Sequence, residues 1–381
     1  MVKKITISNY KSIAANTTIQ LENLTVFVGQ NGSGKSNIVD VFSFVSDAMR
    51  LGLEGAITKR NGIQAIRRWT YSRPYNISIK LDIDEKEFYG SYSFDVSSHT
   101  RHEYIVKNEH AYIKYKNGAN FDFLISEQKW ISGPDSLRPA VTPQTLAFPL
   151  IGGDEKFSPL FNSLTKMRGY SIYPDTLRIP QKYDPGRPME EHGNNWVSIL
   201  KDQDDNSWKD DIIKALNKLT NEIDDIDISS VSGYLVTKFR HGNSGESNKP
   251  KWFESSQESD GTLRIAGIIT ALLQKPSLTV IGIEEPELTI HPGAIGLVFD
   301  FLKQASLDSQ ILITTHSPEL LDLIKEPECV RVITKRGNAT YVSKMKEDQT
   351  DIVRAGLYSL GEIHRTEGIN SVSQQEFEFP A

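Results

Sequence analysis

The sequence predicts an α/β protein, in which a mixed sheet flanked by helices is accompanied by an antiparallel β-lobe and an inserted arm or cap. Three observations predict this fold. A glycine-rich loop at residues 29–36 joins an apolar strand, Leu24–Val28, to a helix that begins at Lys35. Apolar and polar residues alternate with period two through most of residues 77–115, and strands alternate with helices from about residue 252 to residue 344.

The composition favours a globular protein of the cytoplasm. The chain has 381 residues, a net charge of −6 and a hydrophobic share of 38%, which allows two or three domains with a sizeable core. No apolar run reaches the roughly 18 residues of a membrane span, and the N-terminus begins with strand-like alternation rather than a signal peptide. The single cysteine, Cys329, lies in an apolar run and agrees with a reducing compartment. We expect it in the core.

We expect three parts along the chain. Residues 1–150 would form a first lobe that contains the glycine-rich loop and the β-lobe. Residues 151–225 are rich in Pro, Gly, Asn and Asp and show little periodicity, which predicts the inserted arm or cap. Residues 226–381 would form the second lobe.

The loop at residues 29–36 reads Gly-Gln-Asn-Gly-Ser-Gly-Lys-Ser, a complete phosphate-binding loop between a strand and a helix. Its glycines let the backbone adopt positive φ angles and direct N–H groups at a phosphate, and the helix adds its N-terminal dipole. Lys35 is placed to reach the β- and γ-phosphates of a nucleoside triphosphate, and Ser36 to occupy one position on Mg²⁺. The predicted nucleotide-binding residues here are Gly29, Asn31, Gly32, Ser33, Gly34, Lys35, Ser36 and Asn37.

An acidic pair follows the apolar strand at residues 278–283. Successive strand residues point to opposite sides, so one carboxylate can approach Mg²⁺ while the next faces the γ-phosphate and orients or deprotonates the attacking water. We assign Glu284 to magnesium and Glu285 to the water. The alternative is an acidic loop without a catalytic role.

Two further motifs favour phosphate chemistry. Ser259 and Gly261 stand at a helix N-terminus and predict a second anion site suited to a γ-phosphate, although the same pattern also serves as a plain N-cap. His316 projects from a strand end, just before Ser317 and Pro318, which are expected to begin a helix. Its spacing after the glutamates predicts a γ-phosphate sensor, and the alternative is a structural histidine.

The order of these motifs resembles that of the ABC-type P-loop ATPases of the SMC, RecF and OLD group, most of all the compact predicted ATPases of bacterial anti-phage defence systems. The resemblance covers residues 1–60 and 252–345, and the middle third matches loosely. It implies an ABC-type ATPase head that binds ATP and Mg²⁺. It also places Lys11 near the nucleotide, because residues 9–13 are similar to the family's opening strand.

The same resemblance implies a homodimer, with a larger assembly left open. In the family, Ser259 and Gly261 of one subunit would contact the γ-phosphate held by Lys35 of the other. Two departures stand out: Glu284 occupies a position that is Asp in many ABC ATPases, and only Gln64 and Gln144 are candidates for the glutamine of the magnesium-linking loop. The short stretch after His316 leaves no room for the C-terminal nuclease of OLD proteins, so a nuclease or toxin effector would be a separate protein.

The family resemblance favours an ATPase whose heads close on ATP and reopen on hydrolysis, as the sensor or motor subunit of a defence system. Two alternatives remain: a RecF-like DNA repair or clamp ATPase, and a scaffold that gates a toxic effector. DNA is a candidate partner because basic residues cluster in places, although solvated surface charge is the default explanation for them. These residues are Lys59, Arg60, Arg67, Arg68, Lys166, Arg168, Arg178, Lys182 and Arg187.

Overall fold

The computed structural model describes residues 1–70, 75–97, 103–186, 188–202, 207–220, 222–242 and 251–372. Its strands are β1 (Val2–Ser8), β2 (Thr17–Gln20), β3 (Leu24–Val28), β4 (Ile77–Asp84), β5 (Phe88–Ser97), β6 (Ile105–Tyr115), β7 (Asn120–Ser126), β8 (Lys129–Ser132), β9 (Met167–Tyr170), β10 (Gln181–Lys182), β11 (Ile223–Val231), β12 (Tyr234–His241), β13 (Lys251–Glu254), β14 (Val280–Glu284), β15 (Gln310–Thr315), β16 (Val330–Arg336) and β17 (Ala339–Lys344). Its α-helices are α1 (Lys35–Thr58), α2 (Ile63–Ile66), α3 (Phe148–Ile151), α4 (Ser158–Thr165), α5 (Pro174–Arg178), α6 (Trp196–Lys201), α7 (Ser207–Thr220), α8 (Asp260–Leu273), α9 (Pro292–Ala305), α10 (Pro318–Leu321), α11 (Glu347–Arg354) and α12 (Leu360–Thr366). None of the helices in these ranges has the length and apolar character that a membrane crossing requires.

A six-stranded mixed sheet, in the order β17-β16-β3-β15-β14-β9, forms the centre of the molecule. Strand β3 pairs in parallel with β15 and β16, and β14 pairs in parallel with β15 and β9. Parallel strands present their carboxyl ends at one edge of the sheet, where ligands bind in folds of this kind. The loops after β3, β14 and β15 therefore meet at that edge, which confirms the predicted α/β class.

The predicted antiparallel β-lobe is a seven-stranded sheet in the order β2-β1-β4-β5-β6-β7-β8. Strands β4 to β6 form the expected meander, and β7 and β8 extend it. The sheet also takes in the first two strands of the chain, since Ile5 of β1 pairs with Leu81 of β4. Strand β1 alternates buried and partly exposed positions, as a half-buried antiparallel strand does, whereas four of the five residues of β3 are buried.

Helix α1 packs between the two sheets. Apolar residues at helical spacing, among them Ile38, Phe42 and Val45, form one buried face of the helix. Residues on the other side, including Val39, Ser43 and Asp47, are buried too. On one side Val39 fits against Gly169 and Gly282, where a Cβ atom on either glycine would collide with the valine. On the other side the β-lobe covers the helix, and it does so through aromatic contacts such as Phe44 with Phe94 at 6.3 Å. A helix covered on both sides positions the loop at its N-terminus firmly.

Residues 151–225, for which the sequence predicts an arm or cap, contribute β9 to the central sheet, and every residue of that strand is buried. Trp196 of α6 is also fully buried, and its Nε1 donates a hydrogen bond to Thr270 of α8 at 2.9 Å. Strand β10 joins β12 and β11 in a small antiparallel sheet. Short elements separated by Pro and Gly give no sustained periodicity, which is why this packed region looks like an insertion in the sequence. The division into three domains stays a prediction.

Candidate nucleotide-binding site

The loop between β3 and α1 needs its three predicted glycines for two different reasons. Gly32 and Gly34 have φ angles of 72° and 101°, a region in which a Cβ atom is strained. Gly29 has no positive φ, but a Cβ there would collide with the carbonyl oxygen of Ile333 on β16. A Cβ on Gly34 would also collide with the Thr340 hydroxyl of β17. Strands β16 and β17 of the central sheet therefore pack so closely against the loop that a side chain at Gly29 or Gly34 would not fit.

A directional chain of hydrogen bonds holds the loop on the side of β17. Asn37 Nδ2 donates to Ser12 Oγ at 2.7 Å, the Ser12 and Thr340 hydroxyls lie 2.7 Å apart, and Thr340 Oγ1 donates to the carbonyl oxygen of Ser33 at 2.6 Å. The predicted residues Asn37 and Ser33 are thus joined through Ser12 and Thr340, for which the sequence motifs predict no role. The matched segment at residues 9–13 could have drawn attention to Ser12.

Lys35 is buried inside the loop. Its Nζ donates to the carbonyl oxygens of Gly29 at 2.8 Å and Gln30 at 3.3 Å. Burial lowers the pKa of Lys35, and the nearby charges of Glu285, Glu287 and Glu284 act in the opposite direction. The ammonium group therefore faces both the loop and the acidic residues after β14.

Ser36 and Glu284, the two residues predicted for the metal, are in direct contact. Ser36 Oγ donates to Glu284 Oε2 at 2.7 Å. Burial raises the pKa of Glu284, and the hydrogen bond from Ser36 opposes that rise. A hydroxyl and a carboxylate are hard oxygen donors, and Mg²⁺ in nucleotide sites commonly takes one or two carboxylates together with phosphate oxygens and water. The pair fits Mg²⁺.

Glu285 and His316, the two predicted catalytic residues, also face each other. Glu285 Oε1 lies 3.3 Å from His316 Nδ1, and both side chains are partly exposed. Glu285 has a φ of 43° and donates its backbone N–H to the carbonyl oxygen of Thr314 at 2.9 Å. This sparsely populated backbone conformation turns the carboxylate out of the regular alternation of β14. Glu284 and Glu285 thus contact different partners, Ser36 and His316, and a turn rather than a continuing strand separates them.

Two residues without a predicted role complete this part of the site. Arg264 of α8 is buried, and its Nη2 donates to the carbonyl oxygens of Glu284 at 3.1 Å and Glu285 at 2.8 Å. Glu287 Oε1 accepts a hydrogen bond from Thr315 Oγ1 at 2.6 Å, and its buried Oε2 has no hydrogen-bond partner in the described part of the chain. Burial raises the pKa of Glu287. These contacts fix the backbone of the acidic pair and link it to the end of β15.

Ser259 caps α8, as its position before the helix predicts. Its Oγ accepts a hydrogen bond from Thr262 N at 3.2 Å. A Cβ on Gly261 would lie 3.1 Å from the carbonyl oxygen of Thr289, so this turn packs closely on the loop after the acidic residues. Within the described ranges, no hydrogen bond or ion pair joins Ser259 or Gly261 to Lys35 or Ser36.

Lys11 lies beside α1, one turn beyond Ser36. Its Nζ forms an ion pair with Asp40 at 2.6 Å, and Asp40 also accepts hydrogen bonds from Tyr10 and Arg60. Lys11 thus lies near the first turn of the helix that follows the loop, and its ammonium group is paired with Asp40. Gln64 on α2 and Gln144 before α3 are both exposed.

Several of the clustered basic residues form ion pairs within the protein. Lys59, Arg60 and Arg168 all pair with Asp47, at 3.4, 2.9 and 2.9 Å. Arg178 pairs with Asp260 at 2.6 Å. Arg187 lies outside the described residues. The side chains of Arg60 and Arg168 are mostly buried, which favours a structural role for them over contact with DNA.

A cavity of about 790 Å³ opens beside the loop. One wall is the first half of the loop and the end of β16, and the other is His316 together with the segment from α12 to Asn370. Its polar lining includes Gln30, Asn31, His316, Lys335, His364 and Asn370.

These features define a P-loop ATPase head of the ABC type. A family model described as "AAA domain, putative AbiEii toxin, Type IV TA system" matches residues 24–322, which is most of the chain, and the protein belongs to that family. The head domain of an Smc protein bound to the C-terminal winged-helix domain of ScpA has the same fold, with a TM-score of 0.55 and 13% identity over 92% of this chain and 99% of that one. A Pyrococcus furiosus Smc head with an extended coiled coil gives a TM-score of 0.50 and 11% identity, over 93% of this chain and 99% of that one.

Similarity to curated proteins is local. The chromosome partition protein Smc of Mycobacterium tuberculosis is 45% identical over 62 residues, and that of Mycolicibacterium paratuberculosis is 44% identical over 62 residues. Each match covers 16% of this chain and 5% of the relative. The match thus spans a small part of the length of these proteins.

Proposed function

We propose that this protein hydrolyses ATP with Mg²⁺ and that two copies close head to tail on two ATP molecules and reopen after hydrolysis. The observation that carries the proposal is the contact of Ser36 with Glu284 beside the Glu285–His316 pair. In that arrangement a metal-binding pair, a carboxylate for the water and a histidine all stand next to one phosphate-binding loop.

Each residue has one task in this reaction. Lys35 would exchange its loop carbonyls for the β- and γ-phosphate oxygens, and Ser36 and Glu284 would hold Mg²⁺. When bound, Mg²⁺ would neutralise charge that develops on the phosphate oxygens. Glu285 would orient the attacking water and accept its proton, and His316 would contact the γ-phosphate. Arg264 would keep the backbone of Glu284 and Glu285 in place throughout.

The N-terminus of α8 supports the dimer. Helix α8 has fourteen residues, and the positive end of its dipole lies at its N-terminus, at Ser259 and Gly261. A helix N-terminus is a suitable site for an anion. Since the described contacts do not bring these residues to the chain's own loop, their anion would belong to a second copy. ATP would then be shared between the loop of one subunit and α8 of the other.

The biological setting we propose is the cytoplasm of a bacterium, where the ATPase acts as the sensor or motor of an anti-phage defence system with a separate effector, a nuclease or toxin. The family description, with its reference to AbiEii and a toxin–antitoxin system, supports this setting. It equally supports a scaffold that gates a toxic effector. The Smc heads that bind ScpA show that this fold can carry a protein partner.

Steady-state ATP hydrolysis by the wild type, Lys35→Ala and Glu285→Gln, with and without duplex DNA at fixed salt, tests the proposal. Loss of the carboxylate that orients water should lower kcat by about 100-fold or more, while Glu285→Gln still binds ATP and becomes a dimer with Mg²⁺-ATP in light scattering. Glu155→Gln, an exposed carboxylate outside the site, is the matched control. Hydrolysis by Glu285→Gln at the wild-type rate would refute the assignment.

The same assay separates the biological alternatives. Stimulation of hydrolysis by DNA would favour a DNA-transaction ATPase. A rate that does not respond to DNA would favour a protein-gated switch.

A further inference from the structure

His364 lies on α12 and shares a wall of the 790 Å³ cavity with His316 and the phosphate-binding loop. The residue is partly buried, and its Nδ1 is a buried atom without a hydrogen-bond partner among the described residues. Burial is the main cause that lowers the pKa of His364. His364 thus lines the same cavity as the predicted γ-phosphate sensor and the phosphate-binding loop.

Helix α12 is clamped to α10. Asp322, at the end of α10, accepts hydrogen bonds from Ser359 Oγ and, at 2.9 Å, from Arg365 Nη1. Arg365 also pairs with Glu319 of α10 at 3.2 Å. Gly361 sits against α10 so closely that a Cβ would collide with Asp322 and with the carbonyl oxygen of Pro318. The two short helices thus form one unit.

The unit formed by α10 and α12 begins directly after His316, the predicted γ-phosphate sensor. Ser317 directly follows His316 and caps α10, since its Oγ accepts a hydrogen bond from Leu320 N at 3.2 Å. The backbone N–H of Ser317 donates to Thr315 Oγ1 at 3.0 Å, and the same hydroxyl donates to Glu287. Movement of His316 is therefore connected to the acidic loop on one side and to α10 and α12 on the other.

The C-terminal end of α12 is fastened in turn. Gln349 of α11 donates to Glu367 Oε1 at 2.8 Å and to the carbonyl oxygen of Gly368 at 3.0 Å. Asn370 N donates to Gln349 Oε1 at 2.8 Å. A displacement of α12 would therefore also reach α11.

We propose that His364 is a positioning residue for His316, and that through it the state of the γ-phosphate reaches α12. The inference rests on the proposed function, because it needs ATP at the loop. His364 would support the backbone of His316 from the cavity side. The ring of His316 would then contact the γ-phosphate in one fixed position. Helices α10 and α12 would then follow His316 when a γ-phosphate is bound.

Hydrogen exchange on the full chain tests this. In Glu285→Gln, saturating Mg²⁺-ATP should protect both the loop at residues 29–36 and helix α12. Adding His364→Gln should leave protection of the loop intact and reduce protection of α12 by about fivefold or more, since local opening of α12 is no longer coupled to the site. His110→Gln is the matched control: His110 on β6 is also partly buried, and burial lowers its pKa too.

The outcomes separate the two proposals. Absence of ATP protection at the loop in every variant would overturn the proposed function. Protection of the loop without protection of α12, or protection of α12 that survives His364→Gln, would overturn the role of His364 and leave the ATPase intact.

Kinetics provide a second measurement that loss of folding cannot mimic. In the otherwise wild-type chain, His364→Gln and His364→Asn should lower kcat by about tenfold with little change in KM. In a His316→Gln background the same changes should have no further effect, because His364 acts through His316. Additive losses in the double variant would contradict the proposal.

Discussion

Gly34 is the residue at which backbone conformation and packing constrain the site most tightly. Its φ of 101° and its contact with Thr340 both exclude a side chain. We expect Gly34→Ala to weaken ATP binding by about tenfold or more, because the strain alone is of the order of 1–3 kcal/mol and the collision adds to it. Isothermal titration with Mg²⁺-ATP measures the effect.

Gly118 provides the control for that substitution. It has a similar φ of 99° in a turn of the β-lobe, and an added Cβ would meet nothing within 4 Å. Gly118→Ala should lower stability by about 1 kcal/mol and leave ATP affinity unchanged. Equal ATP affinities of Gly34→Ala and the wild type would show that the loop adapts.

Glu109, a buried carboxylate in the β-lobe, gives the protein a pH dependence near neutrality. It accepts hydrogen bonds from Tyr92 OH at 2.9 Å and from the backbone of Ala147 at 2.6 Å and Phe148 at 2.9 Å. Burial raises its pKa to about 7, from an ordinary value of 4.5. Between these two values the folded state holds more protons than the unfolded state, so the contribution of this group to stability falls as pH rises and is constant above pH 7.

Urea unfolding of the wild type and Glu109→Gln tests this dependence. From about pH 5 to about pH 8 the free energy of unfolding of the wild type should fall by about 3 kcal/mol relative to the variant. A difference between the two proteins that stays constant over this range would mean that Glu109 titrates normally.

At this scale the sequence predicted the residues that belong to contiguous motifs and missed those that reach them from elsewhere. Ser36, Glu284, Glu285 and His316 meet because each follows a strand whose place in an α/β fold is known in advance. Thr340 reaches the loop across more than 300 residues of chain, and nothing in its local pattern marks it. Arg264 donates to backbone carbonyl groups, which have no side-chain counterpart in the sequence.

Among the elements, the N-terminus of α8 allows the capping role of Ser259 to be tested separately from a role in ligand binding. Ser259→Ala removes the cap and should cost about 1 kcal/mol of stability. Ser259→Asp keeps a good capping residue but places a carboxylate where the partner's γ-phosphate would bind. We therefore expect Ser259→Asp to be as stable as the wild type in urea and to prevent the ATP-dependent dimer in the Glu285→Gln background. A dimer that forms normally with Ser259→Asp would exclude Ser259 from the interface.

Element types were largely predictable, and their partners were not. The pattern of α1 indicates one apolar stripe, yet the helix is buried on both sides because two sheets enclose it. Strand β1 precedes the phosphate-binding loop closely in sequence, yet it pairs with β4 of the antiparallel lobe. Strand pairing depends on contacts that are distant in sequence, and local alternation carries no information about the partner.

For the whole molecule, Asp47 is the point at which separate parts of the chain are joined by charge. It lies on α1 and pairs with Arg168 of β9 and with Arg60 after α1, all nearly buried. Although burial acts to raise it, the surrounding positive charges of Arg168, Lys59 and Arg60 bring the pKa of Asp47 below its ordinary value. The pairing is therefore kept at neutral pH and lost as pH falls through that lowered pKa.

Asp47→Ala should lower the free energy of unfolding by about 3–5 kcal/mol, because it leaves the buried guanidinium group of Arg168 without its ion-pair partner. Arg60 keeps its ion pair with Asp40. Lys59→Ala removes a partner that is largely exposed and should cost less than about 1 kcal/mol. Urea unfolding of both variants measures the contrast. Similar losses for the two would mean that Asp47 is no more than one surface partner among several.

The enclosure of α1 by two sheets also has a mechanical consequence. From Lys35 to the kink at Gly52 the helix is a rod about 25 Å long, and the kink is marked by a φ of 74° and a ψ of 164°. A helix that is packed on both sides along its length cannot bend when its N-terminal end is displaced. A shift of the loop along the helix axis would therefore be transmitted to Gly52, where the kink would let the two segments of the helix move relative to each other.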